Sequence, residues 1–206
     1  TPPTPADLID QFMKENNVPG MFVAVVRSDS VLFQSGFGTS NIEKETPITQ
    51  ETCMELGSIS KAFTAEVIYE LHRMQLLNIN DAITKYLPGA PPAWKTITIK
   101  HLLTHTSGIQ NYLLDPRFRA HAYFGQTDSV SQNFFRNVST DSMLHLFYSL
   151  PIEFTADESW SYSNTGYYIL GKIAELVTGK YFFQLVKEQL TDPLKMEHTM
   201  ANELAL

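Results

Sequence analysis

The chain has 206 residues, 43% of them hydrophobic and 18% charged, enough to bury a sizeable core in one large domain or two small ones. Fifteen basic residues against 22 acidic ones give a formal charge of −7, and the basic residues are scattered, which excludes nucleic acid as an expected partner. No apolar run is long enough to span a bilayer, and the single cysteine, Cys53, excludes an internal disulfide and a cysteine-based metal site.

In chain order, "TPADLIDQFMKENNVPG" predicts a helix from Pro5 to Asn16. Thr4 is its N-cap, Pro5 occupies the first helical position, and Val18-Pro19-Gly20 stops it. "MFVAVVRSDSVLFQSGFG" predicts a hairpin. The unbroken apolar run Met21 to Val26 reads as a strand buried on both faces, Asp29-Ser30 as the turn and Val31 to Ser35 as the return strand. The glycine-rich "GFGTSN" follows a strand without opening an apolar helix, so it reads as a bend and not a phosphate loop. The next helix spans Ser58 to Leu77, with Phe63, Val67, Leu71 and Met74 as an apolar stripe widened by Ile59, Ala62, Ala65 and Ile68. "ITIKHLLTHTSGI" predicts a short helix ending at Thr104–Gly108, and residues 110–138 a long loop. A further helix starts at Asp141. "SYSNTGYYILGKIAELVTGK" gives a turn and a helix closed by Gly179, and "YFFQLVKEQL" gives the last helix. No further strong strand follows the hairpin. Two strands do not make a stable sheet alone, so either helices cover the hairpin or the sheet's other strands lie outside this chain.

Two short motifs carry chemistry. In "MELGSISKAFTAEV", Ser58 and Lys61 stand at i and i+3 on one helical face, within a few ångströms of each other. Ala65 and Ile68 continue that face, and desolvation there disfavours the ammonium form, so Lys61 is placed to take a proton from the Ser58 hydroxyl. The first helical turn offers free N–H groups to an anion. These are the parts of an activated nucleophile. In "WSYSNTGYY", Tyr162 and Asn164 flank Ser163 just before a helix, which can set a phenol beside a carboxamide. The phenol can shuttle protons when a cation lowers its pKa, and the amide can bind a carbonyl or orient the lysine. The plainer readings are a surface lysine with an N-cap serine, and an N-cap Asn164 with Tyr162 packed among aromatics.

Ser-x-x-Lys followed about a hundred residues later by Tyr-x-Asn resembles the penicillin-recognising serine hydrolases, and the tyrosine in the second motif resembles their class C branch of β-lactamases, D,D-peptidases, D-aminopeptidases and esterases. "PGMFVAVV", "LGSISKAFTA", "ITIKHLLTHTSGI", "YSNTGYYILGKIAELVTGK" and "DPLKMEHTM" follow the family's order over nearly the whole chain. The resemblance implies an α+β (αβα) fold, helices packed on an antiparallel sheet. It implies a serine hydrolase acting through an acyl-enzyme on a β-lactam, a D-amino-acid peptide or a small ester. Ser58 would be the acylated nucleophile, with its N–H forming half of the oxyanion hole. Lys61 would be its base, Tyr162 a second proton shuttle, Asn164 a substrate and lysine partner, and Tyr112 a border of the pocket. The "HTSG" segment with His105 is structural on this resemblance, and the pH profile belongs to the coupled Lys61–Tyr162 pair. The histidines show no metal-ligand spacing, so neither metal nor cofactor is expected.

The family's third motif, Lys-Thr-Gly or His-x-Gly on a strand, is not found among these 206 residues; "VTGK" at Val177–Lys180 ends a helix instead. The expectation is therefore the N-terminal part of one catalytic domain, with the N-terminal helix and hairpin over about 4–36 and the helical region over about 58–206. The C-terminal strands would come from elsewhere, a second chain included. Two alternatives stand: an acyltransferase using the same site, and a fragment or non-catalytic relative that needs that C-terminal partner. The partners expected are a small-molecule or peptide substrate. The opening "TPPTPADLID" has neither a basic n-region nor an apolar h-region, so no signal peptide is read there; the setting expected is periplasmic or secreted.

Overall fold

The structure is a computed structural model and describes residues 2–116 and 140–201. Most of the loop expected over 110–138 lies outside the described residues. The chain divides into two compact units, Thr1–Glu55 and Leu56–Leu206.

In the first unit, helix α1 (Pro5–Asn16) begins as the sequence dictates. The Thr4 hydroxyl accepts the Asp7 N–H and the Asp7 carboxylate accepts the Thr4 N–H, a reciprocal cap. The helix closes at Asn17, left-handed at φ 52°, one residue ahead of the expected stop. Strand β1 (Gly20–Arg27) pairs antiparallel with β2 (Ser30–Asn41), with Gly20 facing Gly38 and Arg27 facing Ser30. A two-residue β3 (Thr46–Pro47) pairs with the far end of β2, giving the order β1-β2-β3.

Three expectations are corrected here. The turn is Ser28-Asp29, one residue early, with Ser28 in the left-handed region at φ 51°. The stretch "GFGTSN" is no bend but the second half of β2. Its glycines serve close approach: a Cβ on Gly36 would collide with the Ile48 carbonyl oxygen, and one on Gly38 with that of Pro19. Finally, β1 is not buried on both faces. Val25 and Val26 are exposed, as are Val31 and Leu32 on the return strand. One 12-residue helix and three strands hold too little material to cover both faces of this sheet.

The second unit is helical. A 3₁₀ turn over Gly57–Ile59 leads into α2 (Ser60–Arg73). The helix begins later and ends earlier than expected, because Met74 caps it and Gln75 turns left-handed at φ 62°. Ile59 and Met74, assigned to the apolar stripe, are exposed: one lies in the tighter 3₁₀ turn and the other past the last helical residue, so neither follows the 3.6-residue period. Then come α3 (Ile99–Leu103), α4 (Thr140–Phe147), α5 (Asn164–Thr178) and α6 (Phe182–Val186), which runs into a π turn over Lys187–Thr191. Gly179, left-handed at φ 70°, ends α5 as expected. Two isolated bridges, Ala82 with Thr98 and Ile109 with Ile152, add pairing that no sequence pattern announces.

Helix α5 is the axis of the core. Ile169, Leu170, Ile173 and Ala174 are wholly buried, in one cluster with Val67, Ile68 and Leu71 of α2, Ile99 and Leu102 of α3, and Phe147 of α4. Each large apolar side chain among them contributes roughly 1.5–3 kcal/mol on burial. This packing fixes the start of α2 against the start of α5, and the two motifs stand at those starts.

Candidate active site

Ser58 lies in the 3₁₀ turn and Lys61 in the first turn of α2, three residues on, so both side chains leave the same face. Lys61 Nζ donates to Ser58 Oγ at 3.3 Å and to Asn164 Oδ1 at 2.7 Å. Ser58 Oγ is also 2.7 Å from Tyr162 Oη, either oxygen being able to donate. Lys61 Nζ sits 4.9 Å from the centre of the Tyr162 ring and 5.6 Å from that of Tyr167, a favourable place for a cation. Ser58 is exposed, and Tyr162 is 37% exposed, so the serine hydroxyl opens to solvent on one side.

The Tyr162–Asn164 turn takes its shape from the head of α5. Ser163, not Asn164, is the N-cap of that helix; it is buried, and its hydroxyl accepts the Gly166 N–H at 3.3 Å. That leaves Asn164 as the first helical residue with its carboxamide free to face α2. The amide's orientation is fixed from both ends. Its oxygen accepts the hydrogen bond from Lys61 Nζ, and its nitrogen donates to Asn111 Oδ1 at 3.5 Å. Asn111 Oδ1 is held as an acceptor by the Leu113 N–H, which it caps at 3.3 Å. Burial raises the Tyr162 phenol's pKa. Lys61 and the hydrogen bond with Ser58 outweigh it, and the net position is below the ordinary tyrosine value.

Two further residues shape the site. Thr165 is fully buried; its hydroxyl donates to the Gln110 carbonyl at 2.7 Å and accepts the Tyr112 N–H at 2.8 Å, pinning residues 110–112 to the head of α5. The Tyr112 ring stacks on Phe147 with centroids 5.3 Å apart, and burial pushes its phenol pKa up. Thus Ser58, Lys61, Tyr162 and Asn164 come together in one bonded group, while Tyr112 approaches through its main chain and turns its ring to α4. His105 accepts the Ser163 N–H at Nδ1, 3.2 Å away, and its ring lies 4.7 Å from that of Tyr162.

Asn111, Thr165 and Tyr167 do not stand out in the sequence. Asn111 carries a readable signal, an Asn capping a short apolar turn, but its reach to Asn164 spans 53 positions. Tyr167, whose hydroxyl donates to the Leu103 carbonyl at 2.9 Å, looks in sequence like any aromatic on a buried helix.

A family model described as Beta-lactamase matches residues 5–205. Among curated relatives, protein flp of Staphylococcus aureus is 28% identical over 196 residues, covering 93% of this chain and 36% of that protein. Among solved structures, the octameric penicillin-binding protein homologue from Pyrococcus abyssi superposes with a TM-score of 0.78 at 29% identity, covering 93% of this chain and 42% of that one. The D-stereospecific amidohydrolase from Streptomyces sp. superposes at 0.73 with 26% identity, covering 87% and 51%. The chain thus spans little more than a third of the length of the curated relative it matches. The fold, helices with a small antiparallel sheet, is that of β-lactamases and penicillin-binding proteins. By the match over residues 5–205, this chain belongs to the beta-lactamase family.

Proposed function

We propose that Ser58 is the nucleophile of a serine hydrolase that cleaves an amide or ester through an acyl-enzyme. The observation that carries this reading is the pair of proton-handling groups around one exposed hydroxyl: Tyr162 Oη at 2.7 Å, and Lys61 Nζ donating at 3.3 Å to Ser58 Oγ. Ser58 Oγ attacks the substrate carbonyl carbon and its proton passes into the Tyr162–Lys61 pair. The shorter distance favours Tyr162 as the immediate acceptor, with Lys61 stabilising the phenolate. The carbonyl oxygen becomes an oxyanion, taken by the Ser58 N–H at the start of the helix. As the C–N or C–O bond breaks, the proton returns to the leaving group. Water then attacks the ester carbonyl, giving its proton to the same pair, and Ser58 is regenerated. Asn164 keeps Lys61 aimed and offers its amide to the substrate carbonyl, and Tyr112 walls the site on the segment that Thr165 pins. The expected third motif on a strand belongs to this proposal as the second oxyanion donor.

For the substrate, a β-lactam, a D-amino-acid peptide and a small ester all fit the chemistry. The similarity to a D-stereospecific amidohydrolase favours a D-amino-acid amide. The deciding experiment is intact mass before and after treatment with a fluorescent penicillin and a fluorophosphonate. An adduct on the native protein that is absent from Ser58→Ala supports the reading, and the probe that labels points to the substrate class. An adduct that persists in Ser58→Ala removes it. Acyl transfer to an added amine or alcohol at the expense of hydrolysis would instead mark the site as an acyltransferase.

A further inference from the structure

We infer that His105 is a positioning residue for Tyr162, gripping the main chain on both sides of the tyrosine, and that its hold on the Ser163 side lasts only while Nδ1 is unprotonated. Its carbonyl accepts the Ser161 N–H at 3.0 Å, and its Nδ1 accepts the Ser163 N–H at 3.2 Å. These two amides flank Tyr162. Between them the imidazole lies against the tyrosine ring, centroids 4.7 Å apart and planes 35° from parallel. Tyr167 backs it at 5.1 Å and Trp160 at 5.9 Å. One residue therefore holds the backbone before, the backbone after and the ring itself.

The backbone of His105 stands in the left-handed region, φ 60°, a conformation that costs a non-glycine residue free energy. Nδ1 is already occupied as an acceptor, so the imidazole is not the base that serves Ser58. Its role passes through the position of the Tyr162 phenol.

An acceptor at Nδ1 requires the neutral ring in its Nε2–H tautomer. Protonation puts a hydrogen on Nδ1 directly opposite the Ser163 N–H. Ser163 is buried, so that amide finds no water to replace the lost partner. The ionisable groups facing the ring are Lys61 from α2, Tyr162 from the turn and Tyr167 from α5. Burial first, and then the Lys61 charge, hold the imidazole below its ordinary range. The grip is therefore present through neutral pH and released on acidification below the usual histidine range. The site then has an acid limb besides the one belonging to Tyr162 and Lys61.

The kinetic test rests on the acylation reading; a second measurement does not. In the intact protein, the rate at which the labelling probe acylates Ser58 is followed across pH for wild type, His105→Asn and His105→Ala. Asparagine tolerates the left-handed backbone and offers an acceptor that does not titrate. His105→Asn is expected to stay within a few-fold of wild type at neutral pH and to lose the acid limb. His105→Ala is expected to fall on the order of 100-fold, the scale of a misplaced catalytic group. A purely structural histidine would lower thermal stability in both variants and leave the acid limb in place. Full activity in His105→Ala, or an unchanged acid limb in His105→Asn, overturns the inference. Where His105→Ala does not fold, ¹⁵N NMR of the wild-type imidazole decides. The inference requires an unprotonated Nδ1 and a Ser163 amide that titrates with the ring, and an Nδ1–H tautomer or an indifferent amide overturns it. If no probe labels Ser58, the acylation reading fails and the NMR measurement decides the grip by itself.

Discussion

At the scale of residues, the proposed mechanism separates groups that exchange a proton from groups that hold them. Tyr162→Phe keeps the ring over Lys61 and removes only the phenol. It is expected to slow acylation of Ser58 by about 10²–10⁴-fold without lowering the melting temperature, as stopped-flow labelling and thermal unfolding will report. The pH dependence has a definite sign. The Tyr162 pKa lies below its ordinary value, so the phenolate is populated at lower pH than for a free tyrosine. The acylation rate is expected to rise with pH through that ionisation, and the rise to vanish in Tyr162→Phe. A rise that survives the substitution would move the base elsewhere. The pairs Ser58–Lys61 and Tyr162–Asn164 were each legible in sequence because their members sit three or fewer positions apart; that the two pairs belong to one site was implied by the family resemblance and not by spacing. Asn111 and the bonds of His105 were not, because their partners stand 53 to 58 positions away and hydrogen-bond geometry leaves no periodic trace.

At the scale of elements, the helices could be read from their caps and periods. Thr4 with Pro5 before α1 and Gly179 after α5 mark ends by local hydrogen bonding and backbone sterics alone, whereas the cap of α5 is Ser163 and not the Asn164 that the plainer sequence reading offered. What failed was glycine. The bend read into "GFGTSN" was a strand, since glycine serves close approach as readily as a turn, and only the neighbour chain tells which. Gly108 combines both demands. It is left-handed at φ 72°, and a Cβ there would collide with the Phe154 carbonyl oxygen, beside the bridge between Ile109 and Ile152. Gly108→Ala is expected to cost more than about 2 kcal/mol, from the left-handed penalty and the displaced backbone together. It should also slow Ser58 acylation by moving residues 110–112 off Thr165. Urea unfolding and probe labelling measured on one preparation test both effects; a variant as stable as wild type would mean that this contact is soft. Ser163→Ala, which removes the cap of α5, is expected to cost about 1 kcal/mol by the same measurement.

At the scale of the whole molecule, the first unit presents an uncovered apolar strip. Val26 faces Val31 across the hairpin, both more than half exposed, with β1 an unpaired edge among the described residues. Such an edge is a template for pairing with another chain. The isolated 206-residue chain is expected to self-associate. Val26→Lys with Val31→Glu, opposite charges placed across the strands, should suppress that association while leaving unfolding within about 1 kcal/mol of wild type. Light scattering against concentration checks it, and unchanged association would place the sticky surface elsewhere. Sequence reasoning gave Val26 to a strand buried on both faces, because an apolar run records what a segment can cover and not what is there to cover it. The second unit carries the site, and its bonds join segments far apart along the chain: Ser58 meets Tyr162 across 104 positions, and Lys61 meets Asn164 across 103. Local helices form early, whereas a contact that closes so long a loop forms late. During synthesis, Ser58 leaves the ribosome long before Tyr162, the group that the proposed mechanism has take its proton. On that mechanism the nascent chain carries an ordinary, unreactive serine, and its activation waits for the contact across 104 positions to close.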